Sequence, residues 1–307
     1  MSSATLAHYA QYYGIRGSVA ALRRLSFERA SAIGEKIGML GYRPLAIRRA
    51  VVERQVAAAF PGLTEPEIAR IARASYASLG RTTIETALLP TYSREQVLEL
   101  VERTEGWEHV ERALAEGRGV MFVTGHLGNW ELGGSYVAAR GVPLEAVARR
   151  MENPLFDAYL NETRRRIGMT VIHDADAVRR VPRAMREQHG VAFLVDQGAV
   201  GLASTWVPFF GRYAKTPRGP AVFALRLKTP LLFACALRQP SGRFVLSIEP
   251  VPVESTGTLD ADVDRIVASY TRTLERWVRR APEQYFWHHR RWKHQRPGTP
   301  PELGDPS

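Results

Sequence analysis

The sequence predicts an α/β protein, with a mostly parallel central sheet flanked by helices and an N-terminal helical segment suited to a membrane surface. Three observations carry this prediction. Short apolar, partly β-branched runs recur at 120–124, 144–148, 169–172 and 191–195, each separated from the next by a helix-length stretch; that alternation builds parallel sheets. Ahead of residue 118 the apolar periodicity is helical. With 307 residues, 45% hydrophobic and 24% charged, the chain can bury a sizeable core. A disordered or low-complexity protein is excluded.

Taken in order, residues 1–80 form the N-terminal segment. Tyr9, Tyr12, Tyr13, Ile15, Val19, Leu22, Leu25 and Phe27 interleave there with Arg16, Arg23, Arg24 and Arg29. This pattern fits the plane of an anionic bilayer surface, and it equally fits a helical hairpin packed on the main domain. No run approaches the roughly 18–20 apolar residues of a membrane span, and the start lacks a signal-peptide core. Attachment is therefore expected to be peripheral or monotopic.

Thr64 with Glu67 and Ser93 with Gln96 are capping boxes. The first opens a helix through Ile68, Ile71, Ala72 and Leu79; the second opens one through Val97, Leu98 and Val101. Residues 107–116 continue helically and stop at Gly117. The run 120–124 then has the character of a strand buried on both faces. Further on, 231–237 and 244–248 flank the turn residues 239–242 as a hairpin. Val263, Ile266, Val267, Tyr270, Leu274, Trp277 and Val278 form an apolar helical stripe. An α/β domain is thus expected over 81–295, and the proline-rich 296–307 as a flexible tail.

Lys and Arg number 42 against 31 Asp and Glu, a net charge of +11, which points to an anionic partner. Only four of these cations are Lys, so an Arg-rich background discounts any single arginine; Arg179 and Arg180, for example, read as solvated. A single cysteine, Cys235, excludes an intrachain disulfide and lies in an apolar run that suits a small buried side chain.

Chemistry concentrates directly after the strand at 120–124, in Gly125-His126-Leu127-Gly128-Asn129-Trp130-Glu131. The carboxyl ends of parallel strands are where α/β folds place their sites. On one continuous helix His126 and Glu131 would lie about 140° apart, so they meet only if His126 sits in a glycine-bent turn and Glu131 in the first helical turn. Glu131 would then hold one imidazole nitrogen and leave the other to take a proton from an alcohol. Alternatively, His126 caps the helix and Glu131 complements its positive end. His173-Asp174-Ala175-Asp176 lacks a second histidine at ligand spacing, so no metal is expected there.

The His126-x4-Glu131 motif resembles the signature of the lysophospholipid acyltransferase superfamily, and more closely its lipid A late acyltransferase branch, the Kdo-dependent lauroyl and myristoyl transferases. Further blocks agree in order: 147–157 around Arg149-Arg150-Met151-Glu152-Asn153, Val195-Asp196-Gln197, Val207-Pro208-Phe209-Phe210-Gly211, and 282–293 through Trp287-His288-His289-Arg290-Arg291-Trp292. The likeness spans roughly residues 40 to 295.

It implies a glycerolipid-acyltransferase-like fold with His126 as general base and Glu131 as its orienting carboxylate. Arg149 is implied to bind phosphate or assist the oxyanion. Asp196 matches an acidic residue at the end of a later strand, and equally reads as a loop carboxylate satisfying backbone amides. Asn129, Arg290 and Arg291 complete the substrate-binding candidates, the last two beside Trp287 and Trp292 as contacts for an acidic lipid headgroup.

By the same resemblance, the acyl donor would be an acyl carrier protein or acyl-coenzyme A, used as substrate, with no cofactor. The acceptor would be an anionic glycolipid, a lipid A precursor or else one such as a phosphatidylinositol mannoside. The setting would be the cytoplasmic face of the inner membrane. A thioesterase using the same pair on water is a rival, and a nucleic-acid-binding module is disfavoured by the resemblance.

Overall fold

A computed structural model describes residues 5–198 and 203–306; residues 1–4 of the N-terminal segment and Ser307 of the tail lie outside the described residues. Four helices come first: α1 (Leu6–Leu22), α2 (Phe27–Tyr42), α3 (Arg49–Ala59) and α4 (Glu65–Leu88). The alternating part follows: α5 (Arg94–Glu99), β1 (Val101–Glu105), α6 (Trp107–Ala115), β2 (Val120–Thr124), α7 (Trp130–Ala139), β3 (Leu144–Ala148), α8 (Pro154–Arg166), β4 (Met169–His173), α9 (Ala177–Arg186) and β5 (Gly190–Leu194). The chain ends with β6 (Ser204–Phe209), β7 (Arg212–Pro217), α10 (Gly219–Leu227), β8 (Leu231–Arg238), β9 (Phe244–Val251) and α11 (Leu259–Arg280). No helix among the described residues is long and apolar enough to cross a membrane.

Both capping boxes form, Thr64 N–H donating to Glu67 Oε2 at 2.8 Å and Ser93 N–H to Gln96 Oε1 at 2.8 Å. The main sheet runs β1-β9-β8-β2-β5-β3-β4. From β8 through β4 every neighbour is parallel; β9 pairs antiparallel with β8, and β1 parallel with β9. The crossover from β2 lands on β3, and the chain later inserts β5 between them, so the connection order reverses around β2 and β5. Such a reversal opens a crevice at the carboxyl edge.

Strand β2 sits at the centre because it is apolar on both sides. Met121 and Val123 join the layer shared with α9, α10, α11 and the inner ends of α3 and α4; Val120 and Phe122 join the layer shared with α5, α6 and α7. Residues of α3 and α4, including Val52, Val56, Ile71 and Tyr76, belong to the same core as the sheet. The expected division after residue 80 falls inside the continuous helix α4.

Several expectations need correction. The helix capped by Ser93 ends at Glu99, and Val101 opens β1. Only Val101 is buried in that edge strand, so no alternation announces it. The β6–β7 hairpin turns on Phe210 and Gly211, both at positive φ (52° and 74°), a primed turn without the usual Asn-Gly signal. The proline-rich tail is tied down: Arg212 donates to the Gly304 carbonyl at 2.9 Å, and Arg290 pairs with Asp305. Arg180 is not a free surface charge, since its guanidinium meets Glu145 at 2.7 Å.

Candidate active site

Strands β2 and β5 run side by side with Thr124 opposite Leu194. Two residues beyond each lie His126 and Asp196, so strand order alone brings together groups separated by 70 positions. His126 Nδ1 and Asp196 Oδ1 are 2.7 Å apart, and the His126 backbone N–H donates to Oδ2 at 2.7 Å. The close approach needs Gly125, because a Cβ there would lie 2.7 Å from Leu274 Cδ1 and 3.1 Å from Asp196 Oδ2. Gly128 then takes φ +63°, where a Cβ would strike the Ala236 carbonyl.

Asp196 is 2% exposed. Burial alone would raise its carboxyl pKa, but the His126 imidazole beside it, the two His126 bonds and the Arg291 charge outweigh burial and hold it at about 2. An ionised carboxylate only accepts hydrogen bonds, so Nδ1 is the donor in this pair, and in a neutral ring the lone pair falls to Nε2. Tyr285, fully buried, bonds to the same carboxylate, and its own pKa is pushed well up by burial and by Asp196. The His126 ring, with its side chain 18% exposed, packs edge-on to Trp130 at 4.7 Å and beside Phe286 at 5.9 Å. Phe286 N–H donates to the His126 carbonyl at 3.0 Å, pinning the loop from the segment after α11.

Glu131 does not hold the imidazole. It stands in the first turn of α7, and its two oxygens accept from Arg164 Nε at 2.6 Å and Nη2 at 2.9 Å, a bidentate pair with α8. The helix starting at Trp130 carries Glu131 away from the bend that holds His126. Burial works against the Arg164 charge, but Glu131 outweighs it and raises the guanidinium pKa.

Asn129 is the N-cap of α7, accepting from Leu132 N–H at 2.9 Å and donating to Glu85 at 3.0 Å. Fully buried, it builds the loop and offers no surface to a substrate. Arg238 pairs with the same Glu85, itself fully buried.

Arg149 follows β3 at the same sheet edge, with a side chain 57% exposed and Nε 3.4 Å from Asp174. Arg290 and Arg291 diverge: Arg290 goes to Asp305, whereas Arg291 is buried and donates to the Lys215 carbonyl at 2.7 Å and Thr216 Oγ1 at 2.6 Å. Trp287 and Trp292 are core residues, their indole N–H groups spent on the carbonyls of Pro282 and Phe209. The expected headgroup surface of Arg291 and the two tryptophans is therefore internal, because the aromatic residues of 285–292 pack on the β6–β7 hairpin.

Arg164 and Tyr285 escaped the sequence reading. Arg164 opens a run of three arginines at a helix C-terminus, where cations suit the macrodipole anyway. Among the described residues, Glu145, Glu187 and His189 can bring ligand atoms together. They lie at the amino edge, opposite His126, and Arg180 and Arg183 already pair with the two glutamates.

An imidazole seated on a buried carboxylate, at the carboxyl edge of an α/β sheet, has the geometry of a general base with its orienter. Comparison with known proteins narrows the class of enzyme to acyltransferases. The chain belongs to the bacterial lipid A biosynthesis acyltransferase family, which matches residues 2–294. It is 27% identical to the lipid A biosynthesis lauroyltransferase of Escherichia coli (strain K12) over 269 residues, covering 87% of this chain and 86% of that one. Identity to the palmitoleoyltransferase of the same organism is also 27%, with 85% and 84% covered. A phosphatidylinositol mannoside acyltransferase of Mycobacterium tuberculosis (strain ATCC 25618 / H37Rv) is 27% identical over 52% of each chain.

Proposed function

We propose that the protein moves a fatty acyl group from the thioester of an acyl carrier protein or coenzyme A to a hydroxyl of a phosphorylated glycolipid, a lipid A precursor. The 2.7 Å contact between His126 Nδ1 and Asp196 Oδ1 carries the mechanism. His126 Nε2 takes the hydroxyl proton while the acceptor oxygen attacks the thioester carbonyl carbon. The tetrahedral intermediate collapses, the C–S bond breaks, and the imidazolium returns the proton to the departing thiolate. Asp196 stays ionised throughout, fixing the tautomer and stabilising the imidazolium. Glu131 acts as a positioning residue that locks the start of α7 to α8 through Arg164. These steps use no covalent enzyme intermediate and call on no cofactor.

The charge of +11 favours both substrates, because carrier protein, coenzyme A and lipid A phosphates are all anionic. We place the enzyme on the cytoplasmic face of the inner membrane, held without a span. Supporting this, α2 and the turn after it expose Ile37, Leu40, Leu45 and Ile47 among Lys36, Arg43 and Arg48. High-salt or carbonate washing should release much of the protein; full retention through both would overturn peripheral attachment.

A phosphatidylinositol mannoside is the rival acceptor, favoured by the half-chain similarity to an enzyme named for it. Mass spectrometry of glycolipids from cells with and without this protein, alongside purified transfer assays, decides. An acylated lipid A precursor is expected. Free fatty acid as the sole product would replace transfer with hydrolysis.

A further inference from the structure

Away from His126, a cavity of about 380 Å³ lies between α1, the turn at Leu89–Thr91 and α8. Three guanidinium groups line it: Arg16 on α1, Arg23 just past its end, and Arg166 on α8. Thr91, Tyr92 and Ser93 line it as well, the Thr91 hydroxyl donating to the Leu88 carbonyl at 2.8 Å and the Ser93 hydroxyl to Glu95 at 2.8 Å. Its one carboxylate, Glu162, is already engaged by Arg165 at 3.0 Å and by Arg166 at 3.8 Å. Arg16 is held in place, stacked 4.8 Å over the Tyr159 ring and donating to the Tyr12 hydroxyl at 2.9 Å. Arginines from distant parts of the chain thus line one cavity, three cations against a single carboxylate, a lining that favours an anion.

The neighbouring cavity, of about 490 Å³, shares Arg23, Thr91 and Tyr92 but is balanced, with Arg23 and Arg243 facing Glu28 and Glu99. The first lining is cationic and the second is neutral. The location ties both to the reaction. One face of α8 (Tyr159, Glu162, Arg166) lines the cationic cavity; another (Leu160, Arg164, Ile167) lines a small pocket at Glu131, and Pro90 borders both. The cationic cavity thus lies on another face of α8 from the Glu131–Arg164 pair.

We propose that Arg16, Arg23 and Arg166 form a phosphate subsite that holds a phosphate monoester of the glycolipid acceptor while a hydroxyl elsewhere on the same sugar headgroup reaches His126. The inference rests on the acyl-transfer reading for the identity of the ligand. Guanidinium groups meet phosphate oxygens in forked pairs, which sets the orientation of the headgroup as well as its affinity.

The test uses the full chain with Arg16→Gln, Arg23→Gln and Arg166→Gln, singly and combined, and Arg179→Gln as the control away from the cavity, where the side chain is 84% exposed. Equilibrium binding is measured for a lipid A precursor and for the same lipid with its phosphates removed. Acceptor and donor KM and binding to vesicles of anionic phospholipid are measured beside it. Each charged hydrogen bond lost should weaken binding of the phosphorylated lipid by roughly tenfold. The dephosphorylated lipid, the donor KM, vesicle binding and the Arg179 variant should stay unchanged.

Equal losses for both forms of the lipid would overturn the subsite. A shift confined to donor KM would reassign these arginines to the donor's phosphates, and a shift confined to vesicles to the bilayer; either result overturns the acceptor assignment. If wild-type protein shows no turnover, the transfer reading fails while the binding comparison still decides the subsite.

Discussion

Two carboxylates at the same edge of the sheet each hold a nitrogen donor, and they hold them for different chemical ends. Asp196 at the end of β5 grips an imidazole, a ring that can take up and give back a proton; Glu131 at the start of α7 grips a guanidinium, which cannot. The first pair has a ring edge open to substrate, and the second ties two helices with both side chains at most 15% exposed. Spacing in the sequence joins His126 to Glu131, whereas the fold joins each to a partner far along the chain. A carboxylate five positions from a histidine is thus a poor guide to the residue that orients it.

The largest expected effect breaks the first pair at its base. His126→Ala should lower transfer by roughly 10² to 10⁴, the usual worth of general-base catalysis, with the fold retained by circular dichroism and a lower melting temperature, since buried Asp196 loses its imidazole partner. Near-wild-type turnover in the purified variant would end the mechanism. Asp196→Asn should lower kcat by roughly 10² or more, because an amide neither enforces the tautomer nor stabilises the imidazolium.

Glu131→Gln addresses the second pair and should cost less in rate, about tenfold, while lowering the melting temperature, since it strands a largely buried guanidinium. The double variant Glu131→Gln/Arg164→Gln sharpens the contrast. If Glu131 works only through Arg164, the pair of changes is no worse in rate than Glu131→Gln alone; additive losses would give Glu131 a separate role.

Strands β2 and β5, with the edge that carries the site, were legible because each run is apolar on both faces and bounded by turn residues. The partners of His126 and Glu131 were not. Asp196 arrives 70 positions on and Arg164 33 positions on, through strand insertion and helix packing that no local periodicity encodes. The edge strand β1 was invisible for a related reason: with one buried residue, it owes its conformation to the β9 ladder and not to its own pattern. Trp287 and Trp292 illustrate the opposite error, since aromatic and cationic residues in one stretch resemble a headgroup surface until burial separates them.

Two smaller effects probe the surroundings of the two pairs. Burial, the first cause, together with the Arg48 charge pushes His288 down to about 4; burial, aided by Arg291, His126 and Arg48 and opposed by Asp196, does the same to His289. Because the unfolded chain binds these protons at 6.5, the unfolded state carries more protons between pH 6.5 and 4. Stability should therefore fall as pH drops through that window, and His288→Gln should flatten the decline in melting temperature against pH. An undiminished slope would remove His288 from that account.

Smallest of all, Arg149→Ala should cost a few-fold in transfer at fixed salt. Arg179→Ala, at a side chain 84% exposed, should cost nothing. Equal mild losses would place Arg149 in the general positive field. Arg180 is unsuitable as a control because its pairing with Glu145 makes it structural.

The central claim, that Asp196 and not Glu131 holds the catalytic imidazole, is tested most directly by nuclear magnetic resonance of the His126 ring in protein labelled at histidine nitrogen. The account predicts a downfield Nδ1–H resonance in the wild type that persists in Glu131→Gln and disappears in Asp196→Asn. Loss of that resonance in Glu131→Gln, with its retention in Asp196→Asn, would contradict it.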